Sequence, residues 1–292
     1  MTQIDEADLI TDYADRLAAD LPLPRPPDFA EHLSLALGDF RRGLHEWRAW
    51  MLLGMNDIRQ RYRRSRLGQF WITLSMAVTI LALGVLYAYL FNAEIREYLP
   101  YLAVSFVAWG TISSIVMESC HVFTGAEIYL RQVPMPKTVF IHRMLVRNLV
   151  TLAHNAVILP PLFMLFGVPV NWTILLVLPG IVLVILNGVW VGLLIGTLCA
   201  RFRDMPQMVG SVMQIVFYLT PVMWRPVQVA QHLAWLTDFN PFASFLSLIR
   251  DPLLGQVPRL WDCGMAGAIT LLGFLVAIPF FARFRARIVY WL

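Results

Sequence analysis

Arg59, Arg61, Arg63, Arg64 and Arg66 crowd into one short stretch of the chain. Guanidinium groups carry a fixed positive charge and hold anionic oxygens two at a time. The same arginines could instead anchor the chain at a membrane surface. Enzyme chemistry is harder to find. Lys137, the only lysine, follows Pro134-Met135-Pro136, so a P-loop is excluded and no catalytic residue is expected. There is no His-Glu-x-x-His and no Cys-x-x-Cys, and no metal site is expected. Cys120, Cys199 and Cys263 lack ligand spacing and read as free thiols. Inside the apolar runs the polar residues are His154, Asn155, Asn187 and Gln214, which suit hydrogen bonds between helices. Carboxylates are almost missing there, which argues against a proton or sodium relay.

The elements that carry these residues are written in the charge pattern. Of 292 residues, 58% are hydrophobic and 14% charged; a soluble domain carries roughly 25%. The fold class is therefore an all-α integral membrane protein. Uncharged runs predict six transmembrane helices, near 70–91, 98–117, 148–166, 173–199, 208–223 and 263–282. Gly167-Val-Pro-Val-Asn-Trp172 divides the third from the fourth. Arginine and lysine gather before span one, after spans two and four, and after span six, whereas the loops after spans one and three carry only Arg96. That alternation places both termini in the cytoplasm. The basic residues beside apolar spans are explained by topology, and nucleic acid is not an expected partner.

The expected domains are a flexible cytoplasmic tail over 1–38, an amphipathic interface helix with a basic connector over 39–66, and a six-span domain over 67–292. The tail begins acidic, unlike a signal peptide, and contains the proline-rich run 21–27. Leu44, Trp47, Met51, Met55, Ile58 and Tyr62 recur at helical spacing with Arg42, His45, Arg48 and Arg59 largely between them. Between spans five and six, Pro226, Asn240-Pro241 and Asp251-Pro252 bound two short helices near 227–237 and 241–250. Each is too short to cross, so both are expected to be re-entrant on the periplasmic side. Two polar loops, 118–137 and 200–207, could receive a soluble motor or could be plain surface turns.

Several separated segments resemble one family. Asn56-Asp-Ile-Arg-Gln-Arg-Tyr-Arg-Arg-Ser-Arg-Leu-Gly-Gln-Phe-Trp71, Ala200-Arg-Phe-Arg-Asp-Met-Pro-Gln207, Leu219-Thr-Pro-Val-Met-Trp224, Asn240-Pro-Phe242 and Ile249-Arg-Asp-Pro-Leu-Leu-Gly255 are similar to the permeases of polysaccharide-exporting ABC transporters of the O-antigen and galactan type. The resemblance implies a homodimer with a channel between the copies, bound by two copies of a cytoplasmic ATPase that holds the ATP and magnesium, so no cofactor is expected in this chain. The implied cargo is polysaccharide on undecaprenyl-pyrophosphate, whose diphosphate Arg59, Arg61, Arg63, Arg64 and Arg66 would then receive at the inner leaflet; capsule, teichoic acid, lipid or drug is the alternative. ATPase coupling would fall to Glu127, Ile128, Tyr129, Leu130, Arg131, Arg201, Arg203, Asp204 and Gln207. Aromatic faces give a moving glycan weak, repeated contact, as stacking platforms do for other polymers. Trp71, Tyr87, Tyr89, Phe217, Tyr218, Trp224, Trp235 and Phe242 are the candidates for channel and gate. A membrane enzyme acting on lipid-linked sugars is the competing class, and Glu118, Glu127 and Asp204 would have to carry it.

Overall fold

A computed structural model describes residues 28–63, 70–228 and 235–292. They form helices and short 3-10 turns, with no strand among the described residues. Five helical segments are long and apolar enough to cross a bilayer: Phe70–Leu90 (α3), Ile95–Ser119 (α4), Thr138–Phe166 (α6 and α7), Trp172–Arg201 (containing α8) and Leu260–Trp291 (containing α12). The expected fifth span is the shorter helix Met205–Leu219 (α9), of 15 residues, which is below the ~20 that a perpendicular crossing needs. It stops because Thr220 precedes Pro221 and takes extended angles (φ −92°, ψ 138°).

Three boundaries differ from the sequence expectation. The first described helix, α1 (Phe29–His45), starts well ahead of residue 39. Asp28 and Glu31 form a reciprocal capping box there, a start signal that the proline-rich run had overshadowed. The expected single amphipathic helix is two, because Glu46 (ψ 39°) breaks it before α2 (Trp47–Tyr62). The third span begins at Thr138, not near 148, and turns at Val157–Ile158 into α7 (Leu159–Phe166), where Pro160 and Pro161 occupy the start, the position that tolerates a missing N–H.

α4 is the central rod. It is the most buried of the spans, and it packs against α3, α6, α8 and α11 (Pro241–Leu253). α8 (Val177–Arg201) pairs most extensively with α12 (Leu260–Phe284), helped by Gly273, where the Trp190 ring occupies the place of a side chain. Of the two expected re-entrant helices, the first is described only at its ends, as a 3-10 turn Pro226–Gln228 and the short α10 (Trp235–Asp238). The second, α11, runs beyond 250 to Leu253 and is capped by Asn240, whose side chain accepts from Phe242 N at 3.0 Å. Its face from Ala243 to Arg250 is buried against α4, α8 and α12.

α1 joins the two ends of the described chain. Asp39 is buried and accepts from the Thr138 amide (3.2 Å) and hydroxyl (3.1 Å) and from Arg285 Nη1 (2.9 Å). Burial beside Arg285 pulls the Lys137 ammonium below its ordinary value, and Asp39 opposes that drop.

Candidate coupling site at the basic end of the bundle

The loop after α4 closes with a 3-10 turn and α5 (Glu127–Gln132), which ends where Pro134 and Pro136 forbid more helix. Along α5, Leu130 is buried while Ile128 is 68% exposed, so an apolar side chain stands out from the surface. Glu127 and Arg131 pair at 3.0 Å along one face. Tyr129 fixes the helix to α6, with the Arg143 guanidinium 5.4 Å from its ring and Phe140 beside it. The second expected contact, Arg201 to Gln207, lies next to the first. Arg203 and Glu127 line one recess of about 350 Å³ with Cys120, Cys199 and Trp291. Arg201 lies 5.8 Å from the Trp291 ring, and Asp204 begins α9, accepting at its carbonyl from the Gln207 amide. Sequence reasoning found both loops but missed that the C-terminal Trp291 completes their recess.

Beside the recess lies a network that the linear sequence hid. Arg143 grips Asp57 with two bonds of 2.6 Å. Arg147 reaches Asp57 at 2.6 Å and Glu118 at 2.8 Å. Asn148 donates to Glu118 at 3.2 Å and accepts from Ser114. Burial would raise the Asp57 carboxyl, but hydrogen bonds and charge from the two arginines outweigh it and hold its pKa below the ordinary 3.8. These bonds tie α2 to α4 and α6. They also explain the early start of the third span, since Arg143 and Arg147 enter the helix already neutralised.

Of the arginines proposed for lipid pyrophosphate, Arg59, Arg61 and Arg63 are exposed, and Arg61 borders a small pocket with Asp57, Arg147 and His154. Arg64 and Arg66 lie outside the described residues. Among the channel candidates, Phe217, Tyr218 and Phe242 come together. Phe217 packs 5.6 Å from Trp109 and 5.4 Å from Tyr218, and Phe242 packs 6.0 Å from Trp109. Trp109, the hub, was not foreseen, and α4 spacing alone could not mark it. Trp224 joins this group by donating to the Tyr218 carbonyl at 3.1 Å. Tyr87 stacks on Phe91 instead, and Trp71, Tyr89 and Trp235 project outward.

Residues 48–254 match the family model described as ABC-2 type transporter. An O-antigen export system permease protein RfbA of Klebsiella pneumoniae is 23% identical over 67% of this chain and 76% of that protein. Its namesake from Myxococcus xanthus is 22% identical over 70% of this chain and 80% of that protein.

Proposed function

Because this chain belongs to the ABC-2 type transporter family, we propose that it is the membrane subunit of a polysaccharide exporter driven by ATP hydrolysed in a separate subunit. The relatives named as O-antigen export permeases support that cargo class. In the full reading, two copies enclose a channel in the inner membrane, and two cytoplasmic ATPase subunits engage them. The cargo is polysaccharide on undecaprenyl-pyrophosphate, moved from the cytoplasm to the outer face. The basic end of the bundle then faces the cytoplasm, with both termini.

The recess that joins α5 to the Arg203 turn carries this reading. An exposed Ile128 on a short helix anchored through Tyr129 is suited to enter a pocket of a soluble partner. Movement of α5 would pass through Arg143 into α6 and, by Asp57, into α2. Reconstitution tests it. The chain alone should hydrolyse no ATP, and a co-expressed P-loop partner should supply the activity. Ile128→Asp should lower transport-coupled ATPase by about tenfold or more while the chain still folds. Hydrolysis by the lone chain, or full coupling in Ile128→Asp, would overturn the assignment. The cargo is checked by deleting the gene and profiling lipid-linked glycan, which should accumulate inside the cell.

A further inference from the structure

At the end of the bundle opposite the recess, a cleft of about 890 Å³ is lined by residues that include Arg96, Tyr101, Arg225, Arg250 and Asp251. Arg250, from the Ile249-Arg-Asp-Pro run, is only 6% exposed, so its guanidinium has given up nearly all its water. Three of its donors are used. Nε donates to Asp251 at 3.0 Å, and Nη1 donates to the Tyr101 hydroxyl at 2.9 Å and the Pro221 carbonyl at 3.0 Å. Nη2 finds no acceptor among the described residues, although its residue borders the cleft. The Arg250 carbon lies 4.9 Å from the Tyr101 ring, which also takes Arg225 at 5.3 Å. Arg96 is exposed at the rim, donates to the Phe166 carbonyl at 3.2 Å, and makes no ion pair among the described residues.

A guanidinium held in place by three bonds, with its two remaining N–H groups left over at the cleft wall, is a preorganised donor pair for an incoming acceptor. The acceptor must take parallel bonds and carry negative charge, because the lining arginines outnumber the lining carboxylates four to three. Phosphate oxygens meet both conditions; a sugar hydroxyl is too weak an acceptor. Phe166, Leu254 and Val257 offer apolar wall to a hydrocarbon chain, which favours a phosphate carried on a lipid over a free anion. We propose that this cleft binds the phosphate or diphosphate monoester headgroup of a lipid, with Arg250 Nη2 and Arg96 as donors. On the orientation proposed above, on which its placement rests, the cleft opens to the outer face. It would there receive a diphosphate headgroup that has crossed.

The full-length chain in phosphatidylcholine nanodiscs is titrated with farnesyl pyrophosphate, inorganic pyrophosphate and farnesol. Saturable binding should be tightest for farnesyl pyrophosphate, weaker for inorganic pyrophosphate and absent for farnesol. Arg96→Gln should weaken binding about tenfold without changing the melting profile, since Arg96 is exposed. Arg250→Lys should weaken it further, because an ammonium lacks the fork; if that variant misfolds, Arg96→Gln decides alone. Equal competition by phosphatidic acid would assign a bilayer phospholipid as the ligand of this same phosphate site. No saturable binding, or binding that both variants leave unchanged, overturns the inference. Cys263, exposed on α12, is labelled in parallel with an impermeant maleimide on intact spheroplasts. Labelling only after lysis would overturn the orientation and leave the headgroup site standing.

Discussion

At the scale of single residues, Asp57 is the ionic tie between α2 and the third span. Its carboxylate serves two guanidinium groups that have little other solvent, Arg143 at 13% and Arg147 at 21% side-chain exposure. Asp57→Asn removes the charge and leaves both cations under-compensated. We expect a loss of about 2–3 kcal/mol, below the range for fully buried pairs because Asp57 keeps some water. Thermal unfolding in detergent measures it. The Asp57 pKa is depressed in the folded state, so its contribution is complete above the unfolded value and fades as pH falls through the lower folded value. The gap between wild type and Asp57→Asn should therefore hold steady down to about pH 5 and narrow only below about pH 4. A gap that shrinks between neutral pH and pH 6 would mean that a histidine, not Asp57, controls the contact.

Among elements, the close approach of α8 and α11 sets how the helix between α9 and α12 is seated. A Cβ built on Gly180 would lie 2.6 Å from the Leu248 carbonyl oxygen, a backbone atom that cannot swing away. Gly180→Ala should force the two helices apart and cost about 1–3 kcal/mol. Gly267 on α12 has nothing within 4 Å, so Gly267→Ala should be neutral or slightly stabilising through helix propensity. Equal melting temperatures for the two variants would show that the approach is not tight. This scale also shows what a linear reading can reach. The spans announced themselves because long uncharged runs have no other stable home. The start of the third span did not, because Arg143 and Arg147 read as loop until Asp57 and Glu118, from other elements, are placed beside them. The two loops proposed for coupling were legible as polar turns, one at a time, by their charges and prolines. Their meeting, and the part of Trp291 in it, depends on how α8, α9 and α12 pack, which spacing does not encode.

For the whole molecule, one chain leaves much apolar surface without a protein neighbour. α3 exposes Leu74, Val78, Leu81 and Val85, and α9 exposes Met208, Val212 and Ile215. α9 is also too short to cross by itself, which a second copy covering it would tolerate better than lipid would. In a Cys263→Ser background, Val212→Cys should cross-link two copies in native membranes, whereas Leu272→Cys on the exposed side of α12 should not. Cross-linking at Leu272 alone would move the proposed interface between copies to α12.

The bond between Asp39 and Arg285 gives synthesis an order. Asp39 emerges among the first described residues, and its guanidinium partner emerges near the end. Until α12 is threaded into the bilayer, α1 carries a shielded carboxylate with Thr138 and the nearby Lys137 for company. A chain that ended before residue 285 would keep α1 against the third span through Thr138 but leave the Asp39 carboxylate without its cation. The closing of this contact would mark the point at which the last-made span is fastened to the first described helix.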